Sequence, residues 1–287
     1  MAKTDKSENS TGFKGASHYV LDEELAKIVN ISMALEMPLL LKGEPGTGKT
    51  MLAYAIAESL RMPLIVLNVK SSMKLVEALY QYDTLTRLND SRFGDSQRDV
   101  SDIEAYIRMG KIGQAFTADR RTVLLIDEID KADTDFQDDM LDVLDQMTFD
   151  IMEIDKTVKA RHRPVVIITS NAKKDLSDPF LGRCNFHHIA FPDPSMMRRI
   201  LRVHFEGLDD TLMENAITAF YQMRDIDAVE KKPATRELIN WIRALSADPD
   251  FKPKRLAKGD LPYLGVLFKK SGDFERANQQ VRRRRLF

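Results

Sequence analysis

The stretch LLLKGEPGTGKTMLAYAIA, residues 39–57, runs from an apolar segment into a glycine-rich turn and out into a helical pattern. That order reads as a buried strand, a loop and a helix. Gly43, Gly48, Lys49 and Thr50 hold the spacing G-x-x-x-x-G-K-[ST]. Glycines let the backbone curl until its N–H groups point inward at phosphate oxygens, and the following helix adds its positive end. Lys49 is expected to reach the β and γ phosphates and the Thr50 hydroxyl to hold Mg²⁺. An ordinary strand-to-helix turn is the bland alternative, and the full spacing in strand, loop and helix context outweighs it. The expected nucleotide-binding residues are Gly43, Glu44, Pro45, Gly46, Thr47, Gly48, Lys49, Thr50 and Met51, with Lys49 also catalytic.

Such a loop serves kinases, GTPases and ATPases alike. LLIDEID, residues 124–130, narrows the choice. Asp127 closes an apolar strand where it can hold the Mg²⁺ shell with Thr50, and Glu128 beside it can polarise a water for attack on the γ phosphate. A carboxylate fixed next to the metal ligand favours hydrolysis over transfer to a substrate hydroxyl. Ligands of a parallel sheet gather at the carboxyl ends of its strands, so Asn171, ending VVIITSN, is expected to face the same crevice and orient the water. Asparagine also ends strands simply as a turn former.

The remainder of the chain fits this reading. Short apolar runs at PLLLKG, LIVLNV, TVLLIDEID, VVIITSN and FHHIAF alternate with amphipathic stretches, the pattern of a parallel sheet covered by helices. The serines of SSMKLVEALY are candidate helix caps, and residues 81–115 read as an irregular insertion. Phe136, Met140, Leu141, Val143, Leu144 and Met147 recur at helical spacing, with Asp138, Asp139, Asp142 and Asp145 on the opposite face. After FPDP only helical patterns follow, so a small all-helical domain is expected behind the α/β domain. Residues 1–17 are polar, lack the apolar core of a secretory signal and read as a flexible arm, which places the protein in the cytoplasm.

With 287 residues the chain is long enough for such a pair of domains. No apolar run approaches the ~20 residues that span a bilayer. The single cysteine, Cys184, excludes an internal disulfide and a cysteine-rich metal site. His187 and His188 are consecutive on a strand and point to opposite faces, so they do not share a metal; Trp241 and the methionines read as core. The net charge is −1, but residues 251–287 carry eleven basic against three acidic side chains. Residues 271–287 show no strong helical period and read as a basic tail dispensable for hydrolysis.

Taken together, the motifs resemble those of the AAA+ ATPases, and within them the MoxR family, over residues 18 to about 268. GEPGTGKT is similar to the Walker A motif, LLIDEID to Walker B and TSN to sensor 1. The resemblance implies an ATPase core of five parallel strands in the order 5-1-4-3-2 over residues 18–193, a helical lid over 194–270, and a ring of subunits, in most members hexameric. It places IRMGKI, residues 107–112, in the helix-2 insert that faces the pore. It gives Arg183, in DPFLGRCNF, the role of an arginine finger on the neighbouring subunit's γ phosphate, and Arg236, in KPATREL, that of sensor 2 on nucleotide in its own subunit. A guanidinium suits both because it stays charged and offers a rigid fork of donors. The family often carries a second arginine where this chain has Gly182.

The implied function is chaperone-like remodelling, assembly or cofactor maturation of a client protein complex, commonly with a von Willebrand factor A-domain partner. A nucleic-acid motor or loader on the same core is the alternative from another class, kept open by the basic end and opposed by the near-neutral charge. A non-hydrolysing nucleotide switch leaves Glu128 unexplained. Asn68, ending the second strand, could restrain Glu128 until a client binds.

Overall fold

The computed structural model describes residues 12–93, 99–171, 176–227 and 229–285, with residues 283–285 described by backbone alone. These residues divide into two compact units: Leu21–Gly43 and Lys49–Ile189 with the segment before Ser17 form the first, and Ser17–Val20, Glu44–Gly48 and the chain from Ala190 form the second.

In the first unit, α1 (Glu23–Leu35) leads to β1 (Leu39–Lys42), α2 (Lys49–Ser59), β2 (Leu64–Asn68), α3 (Leu75–Leu79), β3 (Tyr80–Tyr82) and α4 (Thr84–Phe93). Then come β4 (Ile107–Met109), α5 (Lys111–Thr117), β5 (Val123–Asp127), α6 (Thr134–Gln146), β6 (Thr148–Ile151), β7 (Lys156–Lys159), β8 (Val165–Ser170), α7 (Asp178–Gly182) and β9 (Asn185–His188). Five of the strands make one parallel sheet in the order β2-β5-β8-β1-β9, which is 5-1-4-3-2 when those five alone are counted. A parallel sheet sheathed by helices is dry on both faces, so its central strands carry continuous apolar runs. Leu39, Leu40 and Leu41 of β1 and every residue of β8 are buried, whereas the edge strand β9 leaves Phe186 half exposed.

Helix α6 shows how pattern becomes packing. Asp133 accepts a cap bond from the Phe136 N–H at 2.8 Å, and Phe136, Met140, Leu141 and Leu144 enter the core while Asp139, Asp142 and Asp145 stay exposed.

Several local expectations need correction. Residues 94–98 of the expected irregular insertion lie outside the described residues, but the rest of 81–115 is largely ordered into elements: β3 pairs antiparallel with β4, Tyr80 opposite Met109, and α4 and most of α5 lie in the same segment. IRMGKI is therefore β4 running into the start of α5. A hairpin of β6 and β7 lies outside the five strands read from sequence, with Phe149 stacked on Tyr80. Ser71 and Ser72 do not cap α3; they stand in a turn closed by the Met73 N–H on the Lys70 carbonyl, and Lys74 occupies the cap position. The expected arm lies outside the described residues up to residue 11. Beyond it the chain is already docked, because Phe13 is buried and exchanges backbone bonds with the Asn30 amide at 2.7 and 3.0 Å.

The second unit is helical: α8 (Pro194–His204), α9 (Asp210–Arg224), α10 (Thr235–Ala247), α11 (Lys254–Ala257), α12 (Leu264–Leu267) and α13 (Ser271–Arg285). Aspartates 193 and 209 cap α8 and α9 through bonds of 2.7 Å from Met196 and Leu212. Its core gathers Met197, Leu201, Met213, Phe220, Met223, Leu238 and Trp241, so these three methionines and the tryptophan do serve packing, whereas Met152 of the first unit is exposed. The Trp241 indole N–H is satisfied by the Pro262 carbonyl at 2.7 Å. No helix among the described residues is long and apolar enough to cross a membrane.

Helix α13 overturns the reading of residues 271–287 as a tail without helical period. Ala277 and Val281 are buried in the helical core, and the Asp273 carboxylate accepts the Glu230 and Lys231 N–H groups at 2.9 and 3.0 Å. Those two bonds, Glu230 first, hold the Asp273 carboxyl below its usual range. Truncation at Lys270 is expected to lower the stability of the helical unit by about 2 kcal/mol from the lost burial of Val281 and Ala277 alone. A denaturant midpoint equal to that of the full chain would show that α13 is dispensable after all.

Candidate active site

In the first unit, parallel pairing brings the carboxyl ends of β5 and β8 side by side, Ile126 opposite Ile168, and the polar groups cluster just beyond. Lys49, the first residue of α2, is buried and donates from Nζ to the Gly43 carbonyl at 2.8 Å. Thr50 Oγ1 donates to Asp127 Oδ1 at 2.9 Å, and Thr169 Oγ1 donates to the same oxygen at 2.6 Å. The Thr169 hydroxyl in turn accepts the Glu128 backbone N–H at 2.9 Å.

Glu128 sits in the left-handed region, φ 61° and ψ 50°, a conformation that costs a non-glycine residue energy and recurs at functional turns. It swings the side chain out of the strand. Asn171 Nδ2 donates to Glu128 Oε1 at 3.0 Å, and Lys131 Nζ bonds the other oxygen. The bond to Glu128 raises the Lys131 ammonium pKa above its ordinary value, with Asp130 and Asp127 adding to it. Asn171 is itself oriented, since its N–H donates at 3.1 Å to Asp130 Oδ1, a buried carboxylate. Among the described residues no hydrogen bond links Asn68 to Glu128; Asn171 and Lys131 hold it instead.

Thr169, Asp130 and Lys131 were not among the residues singled out from sequence. Thr169 shares a strand face with Asn171 by the alternation of β8, which was the available signal.

The middle of the phosphate loop belongs to the second unit. Gly46 and Gly48 have φ of 82° and 91°, which is the curl that a phosphate cradle needs. Thr47 Oγ1 closes the loop on the Glu44 carbonyl at 2.9 Å, Glu44 and Pro45 are exposed, and Met51 beyond the loop is half exposed. A side chain on Gly48 would press the Tyr19 ring at 3.4 Å; burial raises the pKa of that phenol. Arg236 is exposed in the first turn of α10, next to Thr235, whose hydroxyl is buried without a hydrogen-bond partner among the described residues. Each unit taken by itself carries groups that suit a phosphate-bearing ligand: in the first, a buried ammonium and a Thr–Asp pair suited to a hard cation; in the second, a curled backbone and a helix N-terminus with an unspent hydroxyl.

Among the described residues no hydrogen bond links Arg183 to Asp127, Glu128, Thr169 or Asn171. It follows α7 and its guanidinium reaches α6, with Nη1 at 2.8 Å from Asp142 and Nε at 3.3 Å from Asp145, and 41% of the side chain is exposed. A Cβ on Gly182 would meet nothing within 4 Å, so packing does not require glycine there. Burial, with Asp145 adding to it, pushes the Cys184 thiol up to about 12, which keeps it an inert thiol.

The family model for ATPases associated with various cellular activities matches residues 39–192, which is β1 through β9 and the phosphate-loop cluster between them. The chain belongs to the AAA family of ATPases. Nucleotide binding and ATP hydrolysis are the chemistry of that family domain. This AAA chain is 27% identical over 231 residues to CD-NTase-associated protein 6 of Pseudomonas aeruginosa, covering 78% of the chain and 71% of that protein. It is 24% identical to protein CdcH of Halobacterium salinarum and 26% identical to protein SAV of Sulfolobus acidocaldarius, covering 78% and 77% of the chain. The chain spans only about a quarter of the length of those two relatives, 28% and 26%.

Proposed function

We propose that this AAA chain is a Mg²⁺-dependent ATPase of the MoxR type that works as a ring, in the hexameric form common to such proteins, and couples hydrolysis to remodelling of a client protein complex. The observation that supports the chemistry best is the single network joining Thr50, Asp127, Thr169, Glu128 and Asn171. Lys49 and the loop Gly43–Thr50 would bind the phosphates of ATP, and Thr50 and Asp127 would hold Mg²⁺. Bound Mg²⁺ supplies charge stabilisation at the phosphate oxygens. Glu128 takes the proton of the attacking water, and Asn171 holds both that carboxylate and the water's approach. Thr169 keeps the metal ligand and the base in register, because one hydroxyl serves both residues. Arg236 reads nucleotide in its own subunit and Arg183 that of the neighbour.

Residues 18–193 form the nucleotide-binding domain in this reading and 194–270 its lid, with 107–112 turned toward the pore. The MoxR placement and the von Willebrand factor A-domain partner rest on the order of motifs GEPGTGKT, LLIDEID, TSN and KPATREL.

Lys49→Ala is expected to weaken ATP binding about 10- to 100-fold, the equivalent of a charge-assisted hydrogen bond or more. Calorimetric titration of the variant checks it, and parental affinity would remove Lys49 from the site. Chelation of Mg²⁺ is expected to stop phosphate release; turnover that persists in excess chelator would refute the metal assignment.

A further inference from the structure

Arg224 ends α9 and is only 7% exposed. Its guanidinium carbon lies 3.4 Å from the centroid of the Phe191 ring. Nη1 donates to the Pro233 carbonyl, and Nη2 bonds Glu44 Oε2 at 2.9 Å. Glu44 belongs to the phosphate loop. Pro233 immediately precedes Ala234, the residue that caps α10, whose first turn carries Arg236. The same two segments also touch directly: a Cβ built on Gly46 would come within 2.6 Å of the Ala234 Cβ and 3.5 Å of the Thr235 nitrogen.

A buried guanidinium is costly to desolvate unless every face is engaged. Here the plane is stacked on an aromatic ring and two different nitrogens reach two different acceptors, one a carboxylate and one a carbonyl. Only arginine offers that fork, since lysine is a point charge without a plane to stack. An apolar side chain would fill the space as well for packing alone, so the charge needs another reason. The reason lies in what the fork joins, a segment that would cradle phosphate and the segment that carries Arg236.

We propose that Arg224 is a positioning residue: by holding Glu44 and Pro233 together it fixes the spacing between the phosphate loop and Arg236, so that Arg236 meets the phosphates of bound nucleotide. The proposal rests on the ATPase reading and on the role given there to Arg236. Glu44 then has a task that its place in the loop alone does not suggest, since its carboxylate faces the helical unit's cation.

The test uses the full chain, with affinities measured for ADP and for a non-hydrolysable ATP analogue, and with unfolding midpoints alongside. Glu44→Gln keeps the shape and removes the charge that Arg224 binds. The Glu44 side chain is 55% exposed, so the midpoint is expected to stay at the parental value. Affinity for the ATP analogue is expected to fall about fivefold to tenfold, comparable to one charge-assisted hydrogen bond misplaced. Arg224→Lys is expected to show the same loss because the fork is gone. In an Arg236→Ala background, adding Glu44→Gln is expected to cost nothing further, since both changes remove one contact.

Additive losses would show Glu44 acting on nucleotide without Arg236 and would overturn the proposal, as would parental affinity in Glu44→Gln or Arg224→Lys. A parent chain that binds neither nucleotide overturns the ATPase reading as well, a result distinct from normal parental binding with insensitive variants.

Discussion

Arg183→Ala is expected to bind ATP with near-parental affinity and to hydrolyse it about 10³- to 10⁵-fold more slowly, the range by which arginine fingers accelerate phosphoryl transfer. Among the described residues of its own chain the guanidinium bonds Asp142 and Asp145 of α6, an exposed pair of bonds with little hold on stability. The unfolding midpoint should therefore barely move. A cation acting on the neighbour's nucleotide makes a further result expected on mixing. On the proposed reading an Arg183→Ala chain keeps its phosphate loop and a Lys49→Ala chain keeps its finger, so mixed rings are expected to regain working sites at some interfaces. Absence of recovery despite demonstrated co-assembly, or full activity in a monomer, would return Arg183 to the status of a surface ion-pair partner.

Glu128→Gln should retain ATP binding and lose about 10² to 10⁴ in turnover, the usual contribution of a positioned general base. The amide preserves the size of the side chain and can still accept from Asn171 Nδ2, whose bond to Glu128 Oε1 is 3.0 Å. Basicity is what disappears. Lys131 loses its anionic partner in the same substitution, so its raised pKa should fall back toward the ordinary value. Single-turnover phosphate release measured beside nucleotide affinity separates the two effects. Parental turnover in this variant would sink the assignment of the base.

The central sheet was readable because physics writes it locally. Strands dry on both faces must be continuously apolar, and LLLK, VLLID and VVIITS are short runs that neither a helix nor a loop explains. The phosphate loop was readable for a different reason, since its chemistry depends on spacing along the chain. Thr169 was not, because a threonine in an apolar strand looks like a β-former, and its task appears only when β8 lies beside β5. Asp130 was hidden in the acidic run DEID, where nothing local says which carboxylate is buried. Strands β6 and β7 are too short for alternation to stand out, with Phe149 and Val158 the paired inward residues.

Helix α13 offered a genuine but thin signal. Phe274, Ala277 and Val281 recur at helical spacing, yet they form one narrow apolar stripe in a segment dominated by charge. Arg224 was out of reach altogether. Its partners Glu44, Phe191 and Pro233 are dispersed along the chain, and only tertiary structure assembles them.

The clamp that Asp273 places on Glu230 and Lys231 has a consequence for the order in which the protein is made. Those N–H groups wait 43 and 42 residues for their acceptor. At ribosomal rates of about 5 to 20 residues per second, that interval is roughly 2 to 9 s, long compared with the formation of an individual helix. During it the nascent chain already carries every strand of the parallel sheet, while the segment that leads into α10 lacks its anchor. The sheet can thus settle before the helical unit is finished, and a ribosome that stalls between these positions leaves a chain with a formed β-scaffold and an unsecured α10, a species for chaperones or proteases to sort.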